Sequence, residues 1–163
     1  MTTTRSIKNI FIVCALAIAM AAGAMRPANA FLDKTRFVTD LGVAYFCFHH
    51  WVWKPYQQGA FSEGAPHRTA AVVKAGAALL FAWNRVHAAE NIARTSKDPL
   101  LQKLNGAVGG LATSFSAIGS KLKSGHFDPN DITSLHDQTG SVASDAAAGG
   151  ATIKDVPVTV PGT

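Results

Sequence analysis

The stretch PLLQKLNGAVGGLATSFSAIGSKLK, residues 99–123, places large apolar side chains at alternating steps of three and four residues. This spacing puts them on one face of an α-helix and gives the seven-residue repeat of a seam against other helices. Asp98 in front of the stretch is a predicted N-cap. The predicted helix-packing positions are two glycines that would allow close backbone approach and five seam residues: Gly106, Gly110, Leu104, Val108, Leu111, Phe115 and Ile118.

The remainder of the chain predicts three further helices separated by loops. The first spans 33–53 and is expected to stop at Pro55. The second begins at Pro66 and fades near Thr95, and the weakest begins after Asp128, another predicted N-cap. Strand patterns are nearly absent. The predicted fold class is therefore all-α, a small up-down bundle of three long helices plus a weaker fourth.

Residues 1–30 have the pattern of a bacterial secretory signal peptide. Arg5 and Lys8 precede an uninterrupted apolar run over 10–22, and Ala28-Asn29-Ala30 predicts cleavage after Ala30. The apolar run is shorter than the roughly 20 residues that cross a bilayer comfortably, although a retained membrane anchor is the alternative interpretation. The expected location is therefore secreted, periplasmic or at the cell envelope.

The predicted mature chain consists of a helical bundle domain, 31–146, and a flexible tail, 147–163. The whole chain carries 15 basic and 10 acidic residues, but Arg5, Lys8 and Arg26 lie in the signal segment. The predicted mature chain therefore contains 12 basic and 10 acidic residues, and it has no run of basic residues. This near balance argues against nucleic acid as a partner.

The segment YFCFHHWVW, residues 45–53, contains five aromatic residues, two histidines and Cys47. One helical face of the segment continues the core pattern. Cys47 lies between Phe46 and Phe48 and is expected to be buried rather than paired between chains. A second face carries the candidate partner or ligand surface: Gly42, Phe46, His49 and Trp53, bordered by His50.

Three interpretations of this second face stay open. The helix could pack between two others, it could bind a partner, ligand or lipid headgroup, or it could hold a metal or haem with His49, His50 or His87. Adjacent histidines diverge by about 100° on a helix and cannot easily share one ion. No metal site and no cofactor is therefore predicted.

The segment NRVHAAENIAR predicts a buried polar cluster of His87, Glu90 and Arg94, because Glu90 falls on the apolar face of the second helix. Such a group could be an acid–base pair or an interhelical salt bridge. No nucleophile with an adjacent base is recognisable, so the sequence does not predict an enzyme.

Formal charge is absent from three helical stretches, 41–53, 75–84 and 104–120. The sequence therefore predicts an exported, non-enzymatic helical protein that binds a protein partner or self-assembles at the cell envelope through low-charge helix faces, with contact to a membrane or lipid surface as a further option. The alternative is a small-molecule binding protein, for haem, metal or lipid, that uses the second face of the first helix.

Overall fold

The computed structural model describes residues 28–163, and residues 1–27 of the predicted signal peptide lie outside this range. Residues 33–163 form one compact unit, which contains the helical bundle. The helices are α1 (Ala28–Phe48), which continues through a π-helical turn (His49–Trp53) into α2 (Lys54–Gln57), α3 (Arg68–Thr95), α4 (Pro99–Lys123) and α5 (Pro129–Ala148). No strand occurs among the described residues, so the predicted all-α bundle is confirmed.

Aspartate caps begin the last two helices, as predicted. The Asp98 carboxylate accepts hydrogen bonds from the backbone N–H groups of Leu100, at 2.8 Å, and Leu101, at 3.3 Å. Asp128 accepts one from the N–H of Asn130 at 2.9 Å. A proline follows each cap, where its missing N–H costs no helical hydrogen bond. These local signals therefore set both helix starts.

The first helix does not stop at Pro55. It passes through the π turn, in which the backbone N–H of Lys54 donates to the carbonyl of His49, five residues earlier. Pro55 then lies in the first turn of α2, and a proline there needs no hydrogen-bond partner. The wide turn thus joins α1 to α2 in one helical rod that ends at Gln57.

Helices α3 and α4 approach closely at two glycines, Gly76 and Gly119. A methyl group on Gly76 would overlap the backbone of Lys123 and lie 2.8 Å from the Gly119 carbonyl oxygen. A methyl group on Gly119 would lie 3.1 Å from Cβ of Leu79. Alanine at either position would push the helices apart, so these glycines permit the close contact between α3 and α4.

The close approach predicted at Gly106 and Gly110 does not form among residues 28–163. Both glycines are exposed, and a methyl group on either would meet no other described residue within 4 Å. Each lies roughly 200° around the helix from a seam residue two positions earlier, so it faces away from the core. The rest of the predicted seam is buried: Leu104, Val108, Leu111, Phe115 and Ile118.

The fifth helix packs against α4 and α1. Its buried residues lie on one face: Ile132, Leu135, Thr139, Val142 and Ala146. The buried Tyr45 hydroxyl donates a 2.7 Å hydrogen bond to the Thr139 carbonyl, which links α1 to α5. No helix between residues 28 and 163 is both long and apolar enough to cross a membrane.

A glycine turn ends α5. Gly150 adopts a left-handed conformation, with φ of 78°, that favours glycine. Its N–H donates to the Ala147 carbonyl at 2.9 Å, and the next N–H, of Ala151, donates to the Ala146 carbonyl at 2.8 Å. This pair of bonds is a Schellman motif, which terminates the helix and redirects the chain.

The C-terminal segment is extended, but it is packed and not the flexible tail that the sequence predicts. The N–H of Val156 donates a 3.0 Å hydrogen bond to the carbonyl of Gly42 in α1. A methyl group on Gly42 would overlap the Lys154 carbonyl and Val156 side chain. Val160 is also buried. The missing side chain of Gly42 therefore creates the space in which the tail lies against α1.

Candidate functional site

The histidine and aromatic segment coincides with the π turn, His49–Trp53. A π turn closes its hydrogen bonds over five residues instead of four, so the side chains beyond it are rotated relative to a continuous α-helix. Trp53 consequently turns toward α5, where it stacks on His136 with ring centroids 3.8 Å apart. Phe46 instead stacks on His50 at 5.1 Å. The two aromatic residues do not form the single line expected for an α-helix.

The tail covers two other residues of the predicted surface. Gly42 lies beneath Val156, as described above. The Nδ1 atom of His49 lies 2.9 Å and 3.0 Å from the two carboxylate oxygens of Asp155. Both side chains of this pair stay partly exposed, His49 at 37% and Asp155 at 41%. Of the five predicted residues, Gly42 and His49 therefore contact the tail, Trp53 contacts α5, and Phe46 and His50 stack on each other.

The contact between Trp53 and His136 belongs to a larger aromatic cluster that the sequence did not reveal. Its members come from α1, the π turn, α2, two connections, α4 and α5: Phe48, Trp53, Tyr56, Phe61, Phe115, Phe127 and His136. Phe61 and Phe127 lie in segments that the sequence predicts to be loops. Large aromatic residues inside short polar loops were the available signal, because exposed loops seldom retain them.

Cys47 is buried and unpaired, which confirms the prediction that it belongs to the core. Burial raises the pKa of its thiol to about 11, and the Arg85 guanidinium opposes this shift only in part. Burial also raises the pKa of the neighbouring Tyr45 phenol. Both groups therefore stay uncharged at neutral pH, and a buried thiol of this kind is a poor nucleophile.

The predicted buried cluster of His87, Glu90 and Arg94 is not buried and does not assemble. His87 Nδ1 lies 3.1 Å from a Glu90 carboxylate oxygen within α3, with 53% and 30% of the side chains exposed. Arg94 is exposed and donates to the side-chain oxygen of Asn91 at 2.6 Å. Gly109 of α4 lies opposite Glu90, and its missing side chain leaves a groove through which the carboxylate reaches solvent.

Within residues 28–163, no group of three or more histidine, cysteine, aspartate or glutamate side chains is placed to hold a metal ion. His49, His50 and His87 take other contacts: with Asp155, with the rings of Phe46 and Trp51, and with Glu90 and the Trp83 ring.

The outer face of α4 is a surface of small residues that stays exposed among the described residues. We call it the outer stripe, and it contains only small, uncharged, exposed residues at steps of four, three, four and three: Gly106, Gly110, Thr113, Ala117 and Ser120. The Thr113 hydroxyl donates to the Gly109 carbonyl at 3.0 Å, so its polar group is already satisfied within the helix. The outer stripe therefore lacks large side chains and offers few polar groups, and its Thr113, Ala117 and Ser120 also line the groove between α4 and α3.

Comparison of the chain with protein-family models, with curated proteins and with solved structures finds no match, so the functional conclusion rests on the chain's own residues.

Proposed function

We propose that the chain is an exported, non-enzymatic helical protein that associates with a second copy of itself through the outer stripe of α4. The observation that carries this proposal is the position of Gly106 and Gly110. Both lie in the middle of a 25-residue helix, exposed, and beside open space.

Glycine in the interior of a helix costs about 0.5–1 kcal/mol relative to alanine. At Gly76 and Gly119 this cost is offset inside the molecule, since only glycine permits the contact of α3 with α4. At Gly106 and Gly110 an alanine methyl group would fit freely, so no contact among the described residues compensates the cost. Close approach of a second backbone would supply the missing compensation.

A second copy is the partner that the charge pattern favours. No charged residue occurs between Leu104 and Ser120, so the outer stripes of two copies carry no charges that would repel one another. A two-fold contact pairs the same surface with itself, and the glycines of one helix then meet the glycines of the other or their neighbours. Small residues allow such helices to pack with their backbones near each other.

The test is light scattering after size exclusion on the full-length chain over a range of protein concentrations. Wild type is expected to form a dimer. Gly110→Gln is expected to raise the dissociation constant at least about tenfold, because the added side chain holds the two backbones apart. Its monomer should be as stable as wild type or more so, because glutamine is the better helix former.

The matched control is Gly140→Gln in α5, which places the same side chain at another exposed helical glycine with open space beside it. This variant is expected to dimerise like wild type. A wild-type chain that stays monomeric at every concentration would contradict the proposal. Dimerisation of Gly110→Gln with wild-type affinity would contradict it equally.

Export is the second part of the proposal and is supported by the charged start, the apolar run and the Ala28-Asn29-Ala30 pattern. The mass of the protein recovered outside the cytoplasm is expected to match residues 31–163. Recovery of the intact chain from the cytoplasm alone would contradict export. This result would not affect the dimer proposal, which light scattering tests separately.

A further inference from the structure

A pocket of about 490 Å³ lies between α2, the loop before α3 and the connection from α4 to α5. Its volume falls within the roughly 300–1,000 Å³ of small-molecule sites. Three aromatic rings line it, those of Tyr56, Phe61 and Phe127. The same lining contains one positive and one negative side chain, Arg68 and Glu63.

The three rings are inclined to one another. The ring centroids of Phe61 and Phe127 are 5.3 Å apart with 60° between the planes, and those of Tyr56 and Phe127 are 6.0 Å apart at 50°. Phe61 is only 1% exposed and packs behind the other two, so the accessible corner is formed by the partly exposed rings of Tyr56 and Phe127, where one cation can lie near both. A cation is attracted to an aromatic ring within about 6 Å of its centroid, and Glu63 adds a negative charge to the same lining.

Arg68 supplies the opposite charge from a fixed position. Its Nε–H donates to the Phe61 carbonyl at 2.8 Å, which holds the guanidinium at the pocket. Among the described residues, no carboxylate lies within ion-pair distance of it, so its outer N–H groups remain available to a ligand. Arg68 also begins the 28-residue helix α3, whose N-cap residue His67 provides no side-chain cap. The positive end of the helix thus adds to the positive charge of the guanidinium.

We propose that this pocket binds a small zwitterion, in which an alkylated ammonium group is joined by a short chain to a phosphate or carboxylate. The ammonium lies in the aromatic corner near Glu63, and the acidic group accepts hydrogen bonds from Arg68. A ligand with one charge alone would use only one of the two charges of the lining. A free solute and a zwitterionic lipid headgroup share this chemistry.

The test is calorimetric titration of the full-length chain with phosphocholine, and separately with choline and with inorganic phosphate. Phosphocholine is expected to bind at least about tenfold more tightly than either single-charge probe, since it uses both halves of the site. Equal affinity for phosphocholine and inorganic phosphate would overturn the proposal, and so would the absence of phosphocholine binding.

Variants separate the contributions of the two halves. Glu63→Gln keeps the shape of an exposed side chain, and Phe127→Leu keeps apolar volume while it removes the aromatic face. Each is expected to weaken phosphocholine binding about threefold or more. Unchanged affinity in both folded variants would overturn the assignment of the ammonium to the aromatic corner.

Arg68→Gln is expected to give the largest loss of affinity, and Arg94→Gln near the other end of α3 is its matched control. Because Arg68 also binds the Phe61 carbonyl, thermal melting must show that the Arg68→Gln variant folds. Wild-type affinity in folded Arg68→Gln would overturn its role. The pocket and the outer stripe share no residue, so Gly110→Gln should bind phosphocholine like wild type.

Vesicles then identify the source of the ligand. Co-sedimentation with phosphatidylcholine vesicles, and not with phosphatidylglycerol vesicles, would assign a lipid headgroup. Binding of free phosphocholine without co-sedimentation would assign a small solute.

Discussion

His136 of α5 lies face to face with Trp53 of the π turn, with ring centroids 3.8 Å apart and parallel planes. The Nδ1 atom of His136 is buried without a hydrogen-bond partner among the described residues. The histidine therefore acts here as a flat ring that joins the α1–α2 rod to α5, and its Nδ1 atom contributes no hydrogen bond to this contact.

Removal of this ring is expected to weaken the fold. His136→Ala should lower the free energy of unfolding by about 1–2 kcal/mol, through loss of the stack and of buried area. His136→Phe keeps a ring and removes the unpaired polar atom, so it should be as stable as wild type within about 0.5 kcal/mol. Urea denaturation measures both values, and equal stability of the alanine variant would show that the stack contributes nothing.

Gly42 is expected to control the position of the tail. Gly42→Ala places a methyl group where the Lys154 carbonyl and Val156 side chain lie, and should cost about 1–3 kcal/mol of stability as the tail shifts away. Hydrogen exchange of the Val156 N–H, which donates to the Gly42 carbonyl, reports this shift directly. Gly140→Ala is the control and should stabilise by about 0.5–1 kcal/mol. An unchanged exchange rate in Gly42→Ala would contradict the packed tail.

The raised pKa of the Cys47 thiol predicts how the free energy of unfolding changes at alkaline pH. Burial raises the pKa of its thiol from the ordinary 9.0 to about 11, so the unfolded chain releases the proton at lower pH than the folded chain does. The stabilisation is therefore complete below about pH 9 and is lost as the pH rises toward 11. Between these values, stability should fall less steeply in Cys47→Ala than in wild type. Parallel curves from denaturation across this range would contradict the assigned shift.

Glu90 is expected to contribute little to stability. Its contact with His87 is a partly exposed pair within one helix, and such pairs contribute about 0–0.5 kcal/mol. Glu90→Gln should therefore change the free energy of unfolding by less than about 0.5 kcal/mol. A loss of several kcal/mol in urea denaturation would instead support the buried cluster that the sequence pattern indicated.

The helix caps and the periodic apolar faces could be predicted from the sequence because they depend on residues close together in the chain. Asp98 and Asp128 bond to N–H groups two or three residues ahead, and the α4 seam follows from spacing alone. The prediction of a single aromatic face on the first helix was wrong because it assumed a constant helical pitch. The wide turn at His49–Trp53 rotates the side chains that follow it. The pocket was missed because Tyr56, Arg68 and Phe127 meet only after the bundle closes.

The sequence by itself determined which segments are helical, where two of them begin and which residues of α4 face the core, since these depend on neighbours within a few turns. Only the tertiary structure decided which glycines meet a neighbouring helix. Gly76, Gly119 and Gly110 are alike in the sequence, yet Gly76 lies against the backbone of α4, Gly119 against leucine side chains of α3, and Gly110 meets no other described residue. The direction of a residue relative to distant segments arises from the packing of whole helices, and no local pattern contains that information.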